Sequence, residues 1–280
     1  MNPSEPRSFK LAIAQMRVDG GDKAGNLARA QDYVSRAAEA GAAVVLLPEA
    51  LTLGWTHSSA TTQADPIPDG PSCRSLRQAA RQHGVYICAG LIEDAQDGIF
   101  NSAVLISPGG EVLLQHRKLN ELDFAHKLYG LGDRLQIART PLGTFGVMIC
   151  ADGFAAGQVI SRALGYMGAD IILSPCAWAV PADHDNAAEP YGQLWLDNYC
   201  PVARAFRLWI AGASNVGWLQ DGPWKGRKCI GCSLVVSPAG EAALLGPYGV
   251  EAEALLLIDV TLEPRPARGD QWARRLLAEQ

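Results

Sequence analysis

Two stretches of this chain repeat each other. Asn101-Ser-Ala-Val-Leu-Ile-Ser-Pro-Gly-Gly-Glu111 and Gly231-Cys-Ser-Leu-Val-Val-Ser-Pro-Ala-Gly-Glu241 align without a gap at an offset of 130 residues. Each is an apolar run, a Ser-Pro-x-Gly turn and a returning run, the pattern of a β-hairpin. The segments upstream agree as well. In the first half, apolar patterning predicts strand Leu11–Gln15, a helix around Asn26–Ala40, strand Ala43–Leu47, helix Ser72–His83 and strand Val85–Ile92. In the second half it predicts strand Phe145–Cys150, a helix around Gly157–Gly168, strand Ile171–Ser174, a helix near Tyr191–Phe206 and strand Leu208–Ala213. Both halves read β-α-β-α-β-β.

The helices carry apolar residues at helical spacing, as at Leu27, Ala30, Tyr33, Val34 and Ala37, so each has one face to bury. The strands are nearly continuous apolar runs that need cover on both faces. Two sheets packed together with helices outside meet both demands. The expected fold is therefore α/β, a four-layer α-β-β-α sandwich with an internal pseudo-repeat. It forms one domain over residues 9–262, between a flexible N-terminus at 1–8 and a tail at 263–280 that reads as an extended arm plus a short amphipathic piece.

Charge narrows the partners. Against 24 basic residues stand 29 acidic ones, net −5, with no long basic run, which argues against nucleic acid or anionic membrane and leaves small molecules. No apolar stretch approaches the roughly 20 residues that span a bilayer. The polar start Met1–Ser8 lacks a signal-like apolar region, so a cytoplasmic location is expected. Seven cysteines is an odd number, and Cys88, Cys150 and Cys176 lie in strand-like runs, which speaks against a disulfide framework. Cys229 and Cys232 form a single CxxC that enters a strand; zinc would need two further ligands, and no metal site is expected.

Reactive side chains stand at strand ends. Cys150 closes the run Thr144–Ile149, and a helix-like stretch begins near Ala155–Gly157, so a thiol is delivered to a strand-to-helix turn where a helix N-terminus favours the thiolate. Glu49 follows the strand through Leu47, and Lys118 follows the run from Leu113. Ligands bind at such ends in open α/β sheets, which points to one shared site. Met16 occupies the place corresponding to Cys150 in the other half, so the site is single. His116 is expected to be a structural imidazole beside it, and His126 to line its mouth. Trp55, Tyr129, Trp178 and Trp195 follow strands or lie in long connections, where pocket walls are made, although such residues also serve as ordinary core.

Pro48-Glu49, Arg117-Lys118 and Ile149-Cys150-Ala151-Asp152 occur in that order, with separations of 69 and 32 residues between Glu, Lys and Cys. On these residues the chain resembles the nitrilase superfamily of carbon–nitrogen hydrolases, in its amidase and carbamoylase branch, over roughly residues 9 to 260. The resemblance implies the same sandwich fold. It also implies that Glu49 is a general base, that Lys118 stabilises the tetrahedral intermediate with a backbone N–H near Ala151, and that Cys150 is the nucleophile forming a thioester. Glu121, the first carboxylate after Lys118, stands where many amidases carry a second glutamate; Asp123 competes for that role. The implied activity is cofactor-free hydrolysis of a non-peptide carbon–nitrogen bond in a small amide or carbamoyl compound, by a homodimer or higher even oligomer. Ala151-Asp152 stands where nitrilases proper carry Trp-Glu, which favours amides. A nitrilase acting on a small nitrile and a catalytically silent binding member of the fold are the competing readings. Gly153-Phe154-Ala155-Ala156 and Arg204-Ala205-Phe206-Arg207-Leu208 depart from the family pattern, so pocket and oligomer geometry are expected to differ.

Overall fold

A computed structural model describes residues 7–267 and Leu277. In chain order the first half holds β1 (Ser8–Gln15), α1 (Lys23–Glu39), β2 (Val44–Leu46), α2 (Ala60–Gln63), α3 (Pro71–His83), β3 (Tyr86–Ala95), β4 (Gly98–Ile106) and β5 (Val112–Arg117). The second half begins with β6 (Ile137–Thr140), β7 (Gly143–Val147), α4 (Val159–Met167), β8 (Ile171–Cys176), β9 (Ala179–Val180) and α5 (Gly192–Phe206). It continues through β10 (Trp209–Ser214), β11 (Val216–Trp218), β12 (Lys228–Ile230), β13 (Leu234–Val236) and β14 (Ala242–Leu245), and β15 (Ala254–Thr261) returns to the first sheet. Local signals set the helix ends: the Asp22 side chain caps α1 by accepting from the Gly25 N–H at 3.1 Å, while α3 opens on Pro71 and closes on a left-handed Gly84.

Two six-stranded sheets, β15-β1-β2-β3-β4-β5 and β14-β13-β10-β8-β7-β6, pack face to face. Strand alternation decides what each residue meets. Leu11 and Ile13 point at the other sheet, among Phe145, Val147, Ile171 and Leu173, whereas Ala12 and Ala14 point outward beneath Ala30, Tyr33, Val34 and Leu76 of α1 and α3. On the far side Ile172, Ile210 and Val236 lie beneath Ile160 and Leu164 of α4 and Trp195, Tyr199 and Val202 of α5. The four-layer sandwich is the observed architecture.

The repeat holds at the level of single hydrogen bonds. Ser107 N donates to Glu111 O at 2.8 Å and Gly110 N to Ser107 O at 2.8 Å; in the second copy Ser237 N donates to Glu241 O at 2.9 Å and Gly240 N to Ser237 O at 2.8 Å. Both hairpins carry a register irregularity at the same place, between Leu105 and Ile106 and between Val235 and Val236. Gly110 and Gly240 adopt φ of 75° and 73°, which a side chain rarely tolerates. Each turn is also held by an arginine from the covering helix: Arg77 Nε donates to Gly110 O at 2.8 Å, and Arg204 Nε to Ala239 O at 3.0 Å.

Some expectations change. β1 begins at Ser8, paired with Thr261, because β15 supplies it with an antiparallel neighbour far away in sequence; Met1–Pro6 lie outside the described residues. The expected amphipathic piece of the tail falls on residues 268–276 and 278–280, also outside them, while the arm before it is anchored by Arg265 Nε on Asp170 Oδ1 at 2.6 Å. A third sheet, β11-β12-β9, was not legible because its strands have only two or three residues. Cys229 lies in β12, and Cys232 follows it at φ 57°. No described helix is long and apolar enough to cross a membrane.

Candidate active site

β1, β2 and β3 run parallel, as do β7, β8 and β10, and β5 shares the direction of β3 through two antiparallel pairings. Their carboxyl ends carry Glu49 after β2, Lys118 after β5 and Cys150 after β7. The Glu49 turn passes directly over β3, where Gly90 N donates to Pro48 O at 3.0 Å; a Cβ on Gly90 would lie 2.5 Å from the Glu49 Cα, so glycine is what lets the turn approach. Glu49 N in turn donates to Cys176 O at 3.2 Å, joining the two sheets at the site. Cys150 sits at φ 44°, a conformation uncommon outside glycine, which turns the chain sharply as it leaves the strand.

Lys118 is the centre of a buried charge cluster. Its Nζ donates to Glu49 Oε1 at 2.8 Å and to Glu121 Oε1 at 2.9 Å, with the three side chains at most 2% exposed. Asn101 Nδ2 spans the same two carboxylates, donating to Glu49 Oε1 at 2.7 Å and Glu121 Oε2 at 2.9 Å. Glu121 therefore stands in the cluster, whereas the carboxylate of Asp123 accepts from the Phe124 N–H at 2.7 Å in exposed surroundings. Burial raises the Glu49 carboxyl above its ordinary range, and the Glu121 charge adds to this against the pull of Lys118. For Lys118 burial opposes the charged form, yet Glu49 and Glu121 together overcome it and hold the ammonium well above its usual value.

The thiol differs from expectation. Burial raises Cys150 well above an ordinary cysteine, with contributions from Cys176 and from Glu49, against which Lys118 is the smaller influence. The helix expected to favour its thiolate begins only at Val159, after two short 3₁₀ turns at Cys150–Phe154 and Ala156–Gln158. Burial thus favours the neutral thiol over the thiolate, and attack calls for a proton acceptor beside it.

Asp152 ties two strand ends together. Its Oδ2 meets His116 Nε2 at 2.7 Å and accepts from Ile149 N at 2.9 Å, while its Oδ1 accepts from Asn120 N at 2.7 Å and Leu119 N at 3.1 Å. Asn120 Nδ2 closes the loop on Ala151 O at 2.7 Å. Although burial works against the Asp152 charge, the His116 contact outweighs it and keeps the carboxyl below its usual range. His116 is thus a structural imidazole, as expected. This clamp sets the Lys118 segment against the Cys150 turn.

Glu49, Lys118, Cys150 and Ala151 share one cavity of about 320 Å³ with Trp55, Leu122, Phe154, Ala177, Ala179, Tyr191, Leu194, Trp195 and Trp224. Two expected wall residues stand a layer behind it. Trp178 stacks on Trp195 at 4.5 Å because the period-2 alternation past β8 turns it toward α5, and it backs the wall without lining it. Tyr129 is buried with its hydroxyl accepting from the Thr56 N–H at 2.9 Å, which steadies the loop carrying Trp55. His126 Nε2 lies 3.2 Å from Glu121 O, beside the charge cluster. Asn101 was missed, although it marks where the first hairpin carries an amide and its repeat carries Gly231. Trp224, Tyr191, Leu194 and Leu122 were missed because they reach the cavity from loops and helix ends with no pattern of their own.

The family model for carbon–nitrogen hydrolases matches residues 10–264. A protein of Pyrococcus abyssi described as a nitrilase is 30% identical over 258 residues, covering 90% of each chain, and an omega-amidase of Xenopus tropicalis is 29% identical over 267 residues, covering 91% of this chain and 89% of that one. The crystal structure of an amidase from Nesterenkonia sp. superposes with a TM-score of 0.75 at 25% identity, covering 96% of both chains. With that family model spanning residues 10–264 and a relative 30% identical over 90% of each chain, the chain belongs to the carbon–nitrogen hydrolase family.

Proposed function

We propose that this protein hydrolyses the carbon–nitrogen bond of a small amide or carbamoyl compound through a thioester on Cys150. The observation that carries the reading is the convergence of Glu49, Lys118 and Cys150 on one cavity from three separate strand ends. Cys150 attacks the carbonyl carbon as Glu49 takes the thiol proton, and the resulting oxyanion faces the Lys118 ammonium and the backbone N–H at Ala151. Collapse breaks the carbon–nitrogen bond, with Glu49 returning its proton to the departing amine. Water, deprotonated by the same carboxylate, then cleaves the thioester and releases Cys150 as a thiol. Nucleophile, proton carrier and charge stabilisation all come from the chain's own side chains and backbone, so the cycle needs no cofactor. A raised Glu49 suits this work, because a base that must also release its proton works best with a pKa near the working pH. Glu121 and Asn101 hold Glu49 and Lys118 in register.

Ammonia release across a panel of amides, ureides, N-carbamoyl amino acids and nitriles tests the reading. Turnover of amides or carbamoyl compounds with an acyl adduct on Cys150 is expected; matched nitriles winning by tenfold or more reverse it in favour of a nitrilase, and a chain inert toward all classes is a binding member of the fold. We further propose a homodimer or larger even assembly, since Val159 and Tyr166 on α4 and Leu194 on α5 are exposed apolar side chains beside the site. A monomer mass by light scattering at micromolar concentration overturns that assembly.

A further inference from the structure

We infer that the substrate is an uncharged amide whose acyl group carries one aromatic ring or a compact apolar group of similar size, a reading that rests on the amidohydrolase function proposed above. Two aromatic clusters border the cavity. In one, Trp55 and Trp224 meet edge to face at 5.0 Å, with Phe124 packed behind them at 5.7 and 5.3 Å. In the other, Phe154 packs on Trp195 at 5.2 Å. Tyr191 and Leu194 complete an apolar wall. Rings in such edge and tilted arrangements present faces and edges that a substrate ring can join.

Charge excludes the alternatives. Apart from Glu49 and Lys118, none of the described residues lining the cavity is charged. The Lys118 ammonium is already bonded to Glu49 and Glu121, so a carboxylate on the acyl group would enter a space lined by the Glu49 carboxylate and an ammonium that is already occupied. It would lose its water and meet no free cation among the described lining residues. Arg227 packs its guanidinium over the Trp224 ring at 4.3 Å and is not among the lining residues. A cationic acyl group on the Trp55 face would stand beside the Lys118 ammonium, 5.5 Å from that ring, and would lose its water while the lining carboxylate, Glu49, is already bonded to Lys118 and Asn101. Size sets the upper bound: about 320 Å³ lies at the small end of ligand cavities, which run from about 300 to 1,000 Å³.

The test compares kcat/KM for phenylacetamide, hexanamide, the monoamide of butanedioic acid and 4-(trimethylammonio)butanamide. The two uncharged amides are expected to exceed both charged ones by about a hundredfold, the order by which a desolvated charge without a partner is rejected. Trp224→Ala is expected to raise KM for phenylacetamide about tenfold with a smaller change in kcat. Equal or greater efficiency toward the carboxylate or the ammonium amide overturns this inference and leaves the hydrolase standing. Ammonia from none of the four overturns this inference, and inertness toward the ureides and N-carbamoyl amino acids as well, with no acyl adduct on Cys150, overturns both.

Discussion

The two halves of the molecule share a scaffold and differ in chemistry at equivalent points. Leu11 on β1 pairs with Val44 on β2, and Phe145 on β7 pairs with Ile171 on β8, so register makes these positions equivalent. Five residues past Leu11 stands Met16, and five past Phe145 stands Cys150; five past Val44 stands Glu49, and five past Ile171 stands Cys176. One half thus places an acid where the other has a buried thiol, and one a thiol where the other has a buried thioether. Hairpins, turn arginines and covering helices repeat because packing needs them twice. The strand ends diverge because a single constellation is enough.

The strongest challenge to that contrast is to truncate both members of the Met16 and Cys150 pair. Cys150→Ala is expected to lower turnover by at least about 10⁴-fold, the scale of losing a nucleophile, with the fold intact. Met16→Ala is expected to leave kcat of the folded protein unchanged while costing about 2–5 kcal/mol of stability, because Met16 is fully buried in the core. Steady-state kinetics and urea denaturation read the two, and the reverse pattern ends the assignment.

Glu49→Gln sharpens the contrast between work and stability. Turnover is expected to fall by about 10²–10⁴-fold through loss of the general base. The substitution also takes from the buried Lys118 ammonium one of its two carboxylates, so the thermal midpoint is expected to fall, as calorimetry would show. In the wild type, kcat/KM is expected to decline on acidification as Glu49 takes a proton, with the acid limb above the ordinary glutamate value of 4.5. Lys118 is held well above its usual pKa, so it adds no alkaline limb near neutrality. An acid limb at or below 4.5 contradicts a raised Glu49 carboxyl.

A smaller effect is expected at Asn101, whose repeat partner is Gly231. Asn101→Ala removes the amide that spans Glu49 and Glu121 and should lower kcat by about 10–10²-fold, the cost of misplacing reacting groups by about an ångström, with KM little changed. A change confined to KM would make Asn101 a substrate contact instead. The smallest effect concerns the shared scaffold. Arg77→Ala and Arg204→Ala should each cost about 1 kcal/mol in urea denaturation, the worth of an ordinary hydrogen bond, with activity intact. Unequal losses would break the equivalence of the two hairpin anchors.

The sandwich was legible because its signals are local. Strand runs, amphipathic helices and Ser-Pro-x-Gly turns repeat in order, and each constrains the backbone within a few residues. Glu49, Lys118 and Cys150 were visible for the same reason, as reactive types that follow such runs. β9, β11 and β12 were hidden because two or three residues make no pattern, and Trp178 was misplaced because residue type cannot tell a wall from the layer that backs it.

By itself, the amino-acid order determined two similar halves, a layered α/β sandwich and the placing of Glu49, Lys118 and Cys150 just past strands, since periodicity and turn chemistry act along the chain. Only the tertiary structure decided that Glu121 joins Glu49 on Lys118, that Asn101 bridges them, that Asp152 locks the Cys150 turn to the Lys118 segment and that burial favours the neutral thiol. The physical reason is that these depend on desolvation and on contacts between distant segments, such as the 69 residues separating Glu49 from Lys118, and both exist only once the sheets have closed on each other.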